Sequence, residues 1–195
     1  MMPAQRIQVR GGRLIDPAND IDAQLDLWLA QGKVVSVGQA PPDFRAELVI
    51  DAEGQVVCPG LIDLGVHLRE PGYEHKATIA SETRAAARGG ITTLICMPDT
   101  DPVIDTPAVW ELIRRRAKAC GHARVLAMGA LTQQLDGEQL AEMAALQKAG
   151  CVAVTNGRNR LANTLVARRA MEYASTFDLP VMLCSEDPHL KASGC

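Results

Sequence analysis

The sequence has 195 residues, of which 47% are hydrophobic, 22% charged and 3% aromatic, and its formal net charge is −3. This composition is typical of a folded globular protein and excludes intrinsic disorder as the main state. An acidic balance with few aromatic rings argues against a nucleic-acid-binding surface, which needs positive charge and stacking side chains. The sequence contains neither an apolar run of signal-peptide length at its start nor a stretch long enough for a membrane helix, so we expect a cytoplasmic protein.

Residues 1–58 predict a small β domain. Three segments combine short extended runs with turn residues: 7–15, 25–38 with Gln31-Gly32 between its arms, and 47–58 with Glu53-Gly54. Apolar runs separated by Gly-containing pairs are typical of β-hairpins, and we interpret each segment as one.

Residues 59–195 have a different pattern, in which apolar strand candidates alternate with helix candidates. Consecutive strands are about 30 residues apart, which is the size of a βα unit. The strands are predicted near 61–67, 91–97, 124–131, 151–155 and 180–184.

Three helices between these strands have recognisable ends. The first begins at Pro107 and stops before Gly121, with an inward face predicted from its spacing. That face consists of Val109, Leu112, Ile113 and Ala117. The second is predicted over 136–148, with Leu140, Met143, Ala144 and Leu146 inward, and the third over 163–175.

Alternating strands and helices with near-continuous apolar strands predict a parallel sheet covered by helices, and therefore an α/β fold. The best match is a partial TIM (β/α)8 barrel of about five strands, preceded by the small β domain. A complete barrel takes about 250 residues, so we expect this chain to be a fragment of a longer protein. An open, doubly wound five-stranded domain is the structural alternative.

The six cysteines lie far apart in the sequence, so no closely spaced pair suggests a zinc or redox motif. We predict that Cys58, Cys96 and Cys151, which lie in apolar surroundings, pack as small hydrophobic residues. Cys184, which also lies in apolar surroundings, is not included in this prediction.

Residues 59–100 resemble the cyclic amidohydrolases, and the dihydroorotases most closely. The stretch from Asp63 to Gly72 reads DLGVHLREPG, and that from Met97 to Thr100 reads MPDT. In the family the first motif is Asp-x-His-x-His followed by Leu-Arg-Glu-Pro-Gly, and its two histidines share a zinc ion. The resemblance implies an amidohydrolase barrel with its metal site at the ends of several strands.

The positions that match the family's metal ligands are altered in this sequence. Gly65 takes the place of the first histidine, which leaves His67 alone. Asn156 stands where relatives carry a carboxylate or a carbamylated lysine, and Cys184 stands where they carry a histidine. These three changes fall on three separate strands, so we predict that the metal site is vestigial and that the chain has no metal cofactor and no catalytic residues of its own.

The matching substrate positions are Arg69, which is kept, and Asp99, where the family has asparagine. An ionised Asp99 would repel an anionic substrate if it points into the site. A loop aspartate that caps a turn is the alternative interpretation.

An altered site on a conserved scaffold is typical of the pseudo-dihydroorotases, the noncatalytic partners of aspartate carbamoyltransferase in pyrimidine biosynthesis. The resemblance therefore implies a hetero-oligomer with that enzyme. The basic helical segments 114–124 and 166–175 are candidate contact surfaces. The competing hypothesis is an active zinc amidohydrolase that acts on dihydroorotate, a hydantoin or allantoin through His67, Cys184 and Asp187.

Overall fold

A computed structural model describes residues 6–161 and 163–184, which form two compact units divided between Pro59 and Gly60. The amino-terminal unit contains two small sheets. Its strands are β1 (Ile7–Arg10), β2 (Arg13–Asp16), β3 (Ile21–Gln24), β4 (Leu27–Ala30), β5 (Lys33–Val37), β6 (Leu48–Asp51) and β7 (Val56–Val57). The strand orders of the two sheets are β5-β4-β1-β6 and β3-β2-β7.

One of the three predicted hairpins is present in this unit. Strands β4 and β5 pair antiparallel around Gln31 and Gly32, which both have the positive φ that a tight hairpin turn requires. The segments 7–15 and 47–58 are not hairpins, because each crosses from one sheet to the other. Strand β1 pairs in parallel with β6, and β2 pairs in parallel with β7 and antiparallel with β3.

The second unit is built around a five-stranded parallel sheet. Its strands are β8 (Leu61–Val66), β9 (Ile91–Cys96), β10 (Arg124–Ala130), β11 (Ala153–Thr155) and β12 (Val181–Met182). Its helices are α1 (Ile79–Arg88), α2 (Pro107–Cys120), α3 (Met143–Ala149) and α4 (Thr164–Ser175). All four strand pairs are parallel, and the spatial order of the strands follows the chain from β8 to β12.

This sequential order confirms the partial TIM barrel. A doubly wound sheet reverses its strand order at a switch point, whereas each strand here pairs with its predecessor in the sequence. The doubly wound alternative is therefore wrong.

The helix ends agree with the predicted signals at α2 and α4 but not at α3. Gly121 has a φ of 65° and ends α2, and the Asn163 side chain accepts the N–H of Val166 at the start of α4. The predicted helix over 136–148 begins only at Met143. The residues before it form a loop held by a bridge between Thr132 and Leu140.

The α2 face that packs on the sheet also differs at one position from the prediction. Val109, Ile113 and Ala117 are buried as expected, but Leu112 is exposed and Trp110 takes its place. The Trp110 indole N–H donates to the carbonyl oxygen of Ala149, 3.1 Å away, and so links α2 to the end of α3. Burying a large apolar side chain contributes about 2 kcal/mol, so this face supplies much of the attachment of α2.

The described cysteines differ in burial. Cys96 and Cys151 are buried in the core beneath α2, as predicted, whereas Cys58 is exposed, contrary to the prediction. Cys184 is also exposed. Among the helices that the structure describes, none is long and apolar enough to cross a membrane.

Candidate functional site

The carboxyl ends of β8 and β9 bring three of the expected site residues together. His67 directly follows β8, and Asp99 lies in the loop that follows β9. The His67 Nδ1 atom is 2.6 Å from Asp99 Oδ2, and an Arg69 guanidinium nitrogen is 3.8 Å from the same oxygen. Because the carboxyl ends of barrel strands are where TIM-barrel enzymes place their active sites, this cluster occupies the expected location.

Asp99 therefore faces two basic side chains. The side chains of His67, Arg69 and Asp99 are 46%, 35% and 36% exposed, so water reaches all of them. The carboxylate offsets the positive charge of the guanidinium beside it. An anionic ligand that bound to Arg69 or His67 would lie close to this carboxylate and would be repelled by it.

Gly65 lies at an irregularity of the first barrel strand. The register between β8 and β9 shifts between Asp63 and Val66, and the Asp63 carboxylate accepts the Gly65 N–H at 3.0 Å. A Cβ atom placed on Gly65 would lie 3.8 Å from the sulfur of Met97. A Cβ atom on Gly157 would lie 3.8 Å from the terminal methyl of the same methionine.

The Met97 side chain thus borders both glycines at the carboxyl ends of β8 and β11. Sequence reasoning missed this contact, although Met97 belongs to the motif that carries the resemblance. A thioether fills irregular apolar gaps well. The thioether sulfur is a soft ligand that favours Cu(I). An amidohydrolase zinc site is expected to use nitrogen and oxygen ligands instead.

Asn156, just after β11, is held by hydrogen bonds inside the unit. It is 1% exposed, and its carbonyl oxygen accepts the Thr132 hydroxyl at 2.6 Å. Its amide group donates to the carbonyl oxygens of Asn159 and Arg160 at 3.3 and 3.2 Å. Asn156 consequently connects the loops that follow β10 and β11. The buried Thr132, its partner, was not among the predicted site residues.

Cys184 follows β12 by two residues, and its side chain is exposed. Asp187, the third residue of the competing zinc hypothesis, lies outside the described residues. The structure therefore brings together His67, Arg69 and Asp99, and places Asn156 in a separate buried network.

The donors that the structure describes at these strand ends do not converge on a zinc site. A protein zinc site needs three or four nitrogen, sulfur or carboxylate ligands that converge on one point. Within residues 6–161 and 163–184, no three His, Cys, Asp or Glu side chains lie close enough to hold a metal ion. Gly65 offers no donor, and the Asn156 oxygen is already hydrogen-bonded.

Comparison with known proteins decides the family. The sequence model of the family described as Dihydro-orotase-like matches residues 54–195, which is more than half of the chain. The chain belongs to the Dihydro-orotase-like family. This membership confirms the resemblance found in the sequence.

Several dihydro-orotase-like relatives match almost the whole chain. A "Dihydroorotase-like protein" of Pseudomonas aeruginosa is 53% identical over 188 residues, which are 96% of this chain and 44% of the relative. A protein of the same description from Pseudomonas putida is 50% identical over the same shares. A "Dihydroorotase" of Syntrophotalea carbinolica is 46% identical over 97% of this chain and 44% of its own length. The chain thus spans less than half the length of these relatives.

Solved structures show the same fold at lower identity. An L-hydantoinase from Arthrobacter aurescens superposes with a TM-score of 0.78 at 22% identity, covering 99% of this chain and 45% of the hydantoinase. A dihydroorotase superposes with a TM-score of 0.64 at 17% identity, covering 93% and 52% of the two chains. The shared fold is that of the amidohydrolases.

Proposed function

We propose that this chain is the dihydroorotase-like part of a noncatalytic, cytoplasmic subunit that supports the assembly and activity of aspartate carbamoyltransferase in pyrimidine biosynthesis. No residue of the described site is assigned a catalytic role, and no metal cofactor is required.

The observation that carries this proposal is the environment of Asn156. Its amide is committed to the Thr132 hydroxyl and to two backbone carbonyl oxygens, so it serves the packing of two loops. Asn156 stands at a metal-ligand position of the family, and here its side chain holds two loops together. This arrangement supports the loss of metal chemistry. Met97 beside Gly65 supports the same conclusion.

The proposed association with the transferase rests on the family resemblance. The surface charges describe what the two candidate contact surfaces could offer to a partner. The basic segment on α2 is partly neutralised within the chain, since Arg114 and Arg115 both pair with Glu111. Arg168 on α4 likewise pairs with Glu172. Neither helix presents an unbroken basic surface, so contacts of mixed polarity are expected at the interface.

Size-exclusion chromatography of the two mixed proteins tests the partnership. The natural protein and aspartate carbamoyltransferase from the same organism are mixed at micromolar concentration and separated by size exclusion. We expect one co-eluting species, and a transferase that loses activity or assembly without its partner. Independent peaks together with a fully active isolated transferase would contradict the proposal.

The second candidate is an active zinc amidohydrolase for dihydroorotate, a hydantoin or allantoin. One observation favours it: the imidazole of His67 is held through Nδ1 by a carboxylate, an arrangement that commonly orients a metal-binding histidine. The variant His67→Ala separates the two hypotheses. An enzyme would lose zinc and turnover, whereas a noncatalytic subunit would bind the transferase as before.

A further inference from the structure

A basic cavity lies at the amino ends of the parallel strands, whereas His67 and Asp99 lie at their carboxyl ends. It has a volume of about 430 Å³ and lies beside the carboxyl end of α2 and the amino ends of β9 and β10. Its polar lining residues are Thr92, Arg114, Lys118, His122 and Arg124. None of its lining residues is acidic.

The cavity has a net positive charge. Arg114 is paired with Glu111 at 2.6 Å and contributes little net charge. Within the part of the chain that the structure describes, no carboxylate lies within 4 Å of Lys118 or Arg124, so their two charges are uncompensated. The carboxyl end of α2 contributes about half a negative charge, which is smaller than the sum of these two cations.

The turn between α2 and β10 adds hydrogen-bond donors to this charge. The Gly121 N–H bonds back to Ala117, which ends the helix. The next two N–H groups, of His122 and Ala123, have no acceptor among the described residues. The Thr92 hydroxyl, in β9, also lines the cavity. An oxyanion in the cavity would therefore find both cations and neutral donors.

We propose that this cavity binds a phosphate group, supplied by inorganic phosphate or by a small phosphate ester. A phosphate at neutral pH has between one and two negative charges and several acceptor oxygens, which matches two cations with hydroxyl and N–H donors better than one carboxylate does. The cavity is larger than a phosphate ion, so it leaves room for the organic part of an ester. This proposal does not rest on the association with the transferase, although the cavity belongs to segment 114–124, one of the candidate contact surfaces.

Equilibrium dialysis at low ionic strength tests the site. Radiolabelled inorganic phosphate and glycerol phosphate are dialysed against the whole chain, a method that works whatever the oligomeric state. We expect saturable binding of one phosphate group per chain. Tighter binding of glycerol phosphate identifies the ester as the ligand, and equal or weaker binding identifies inorganic phosphate.

The variants Lys118→Gln and Arg124→Gln should each weaken phosphate binding at least tenfold. These side chains are exposed, so their replacement should leave folding intact, which circular dichroism checks. Arg169→Gln, an exposed arginine on α4, is the matched control and should bind phosphate as the unchanged chain does. The absence of saturable binding, or equal losses in all three variants, would overturn the proposal. So would displacement of phosphate by an acidic peptide that binds more tightly, because the cavity would then be a protein contact.

Discussion

His67 Nδ1 and Asp99 Oδ2 are 2.6 Å apart, and this contact joins the carboxyl ends of the first two barrel strands. Arg69 lies 3.8 Å from the same carboxylate oxygen. The Asp99 carboxylate thus lies beside both of the basic side chains that could hold an anion here. Removing its charge should change which ligands the site accepts.

The variant Asp99→Asn should bind carboxylate anions at least tenfold more tightly than the unchanged chain. Two unit charges 4 Å apart interact by about 4 kcal/mol at an effective dielectric constant near 20. Solvent exposure and salt reduce this repulsion, and about 1.4 kcal/mol suffices for a tenfold change. Calorimetric titration with succinate measures the effect. Asp101→Asn, an exposed neighbour outside the cluster, is the control, and equal affinities in the two variants would refute the effect of Asp99.

The variant Asn156→Asp should destabilise the fold and should not create a zinc site. A carboxylate at this buried position would face the carbonyl oxygens of Asn159 and Arg160 with no proton to donate. An unsatisfied buried polar group costs about 1–3 kcal/mol, and a charged one costs more. Urea unfolding measures the loss. Asn159→Asp, at an exposed position, should cost clearly less, and similar losses in both variants would contradict the role of burial.

The variant Gly65→His should fold but should bind no stoichiometric zinc. A Cβ atom at Gly65 meets only the Met97 sulfur at ordinary contact distance, so the backbone accepts a side chain. One added imidazole leaves Asn156 as a poor ligand, and a zinc site needs several donors. Metal analysis after dialysis against zinc gives the result. Gly60→Ala is a contrasting variant, which should destabilise the fold because its Cβ would overlap the Thr92 side chain. Tightly held zinc in Gly65→His would show that the remaining donors do converge.

The free energy of unfolding should fall as the pH rises above about 9. Burial raises the pKa of the Cys96 and Cys151 thiols from 9.0 to about 12. Between these values the unfolded chain loses the thiol protons while the folded chain keeps them, so rising pH favours unfolding. Each thiol contributes a slope of about 1.4 kcal/mol per pH unit.

Urea unfolding at a series of alkaline pH values measures this slope. Cys151→Ala should remove the share of one thiol. Cys184→Ala, which removes an exposed thiol, is the matched control. An unaltered slope in Cys151→Ala would contradict the assigned cause.

Local signals in the sequence predicted the second unit well. Pro107 with Gly121, and Asn163 at its helix start, marked the ends of α2 and α4 because capping depends on residues adjacent in the sequence. The burial of Trp110 instead of the predicted Leu112 could not be read from the helix alone. The apolar face of α2 is wide, and packing against the rest of the unit decides which of its residues is buried.

Contacts between residues that are far apart in the sequence were harder to predict. Strand pairing in the two amino-terminal sheets cannot be predicted from turn residues. Gly11-Gly12 and Glu53-Gly54 indicate a change of chain direction, but they do not indicate which strands pair. At the site, the sequence indicated which positions depart from the family pattern. The contacts of Met97 with two glycines, and of Asn156 with Thr132, depend on side-chain placement between distant strands.

The sequential order of the parallel sheet has a consequence for how the chain folds during its synthesis. Each strand from β9 to β12 pairs with the strand synthesised immediately before it, so the sheet of the second unit can grow one strand at a time. The amino-terminal unit cannot, because Ile7 in β1 must wait for Leu48 in β6 before that pair can form. Strand β1 therefore pairs with β6 only after 41 further residues have been translated, the spacing between Ile7 and Leu48.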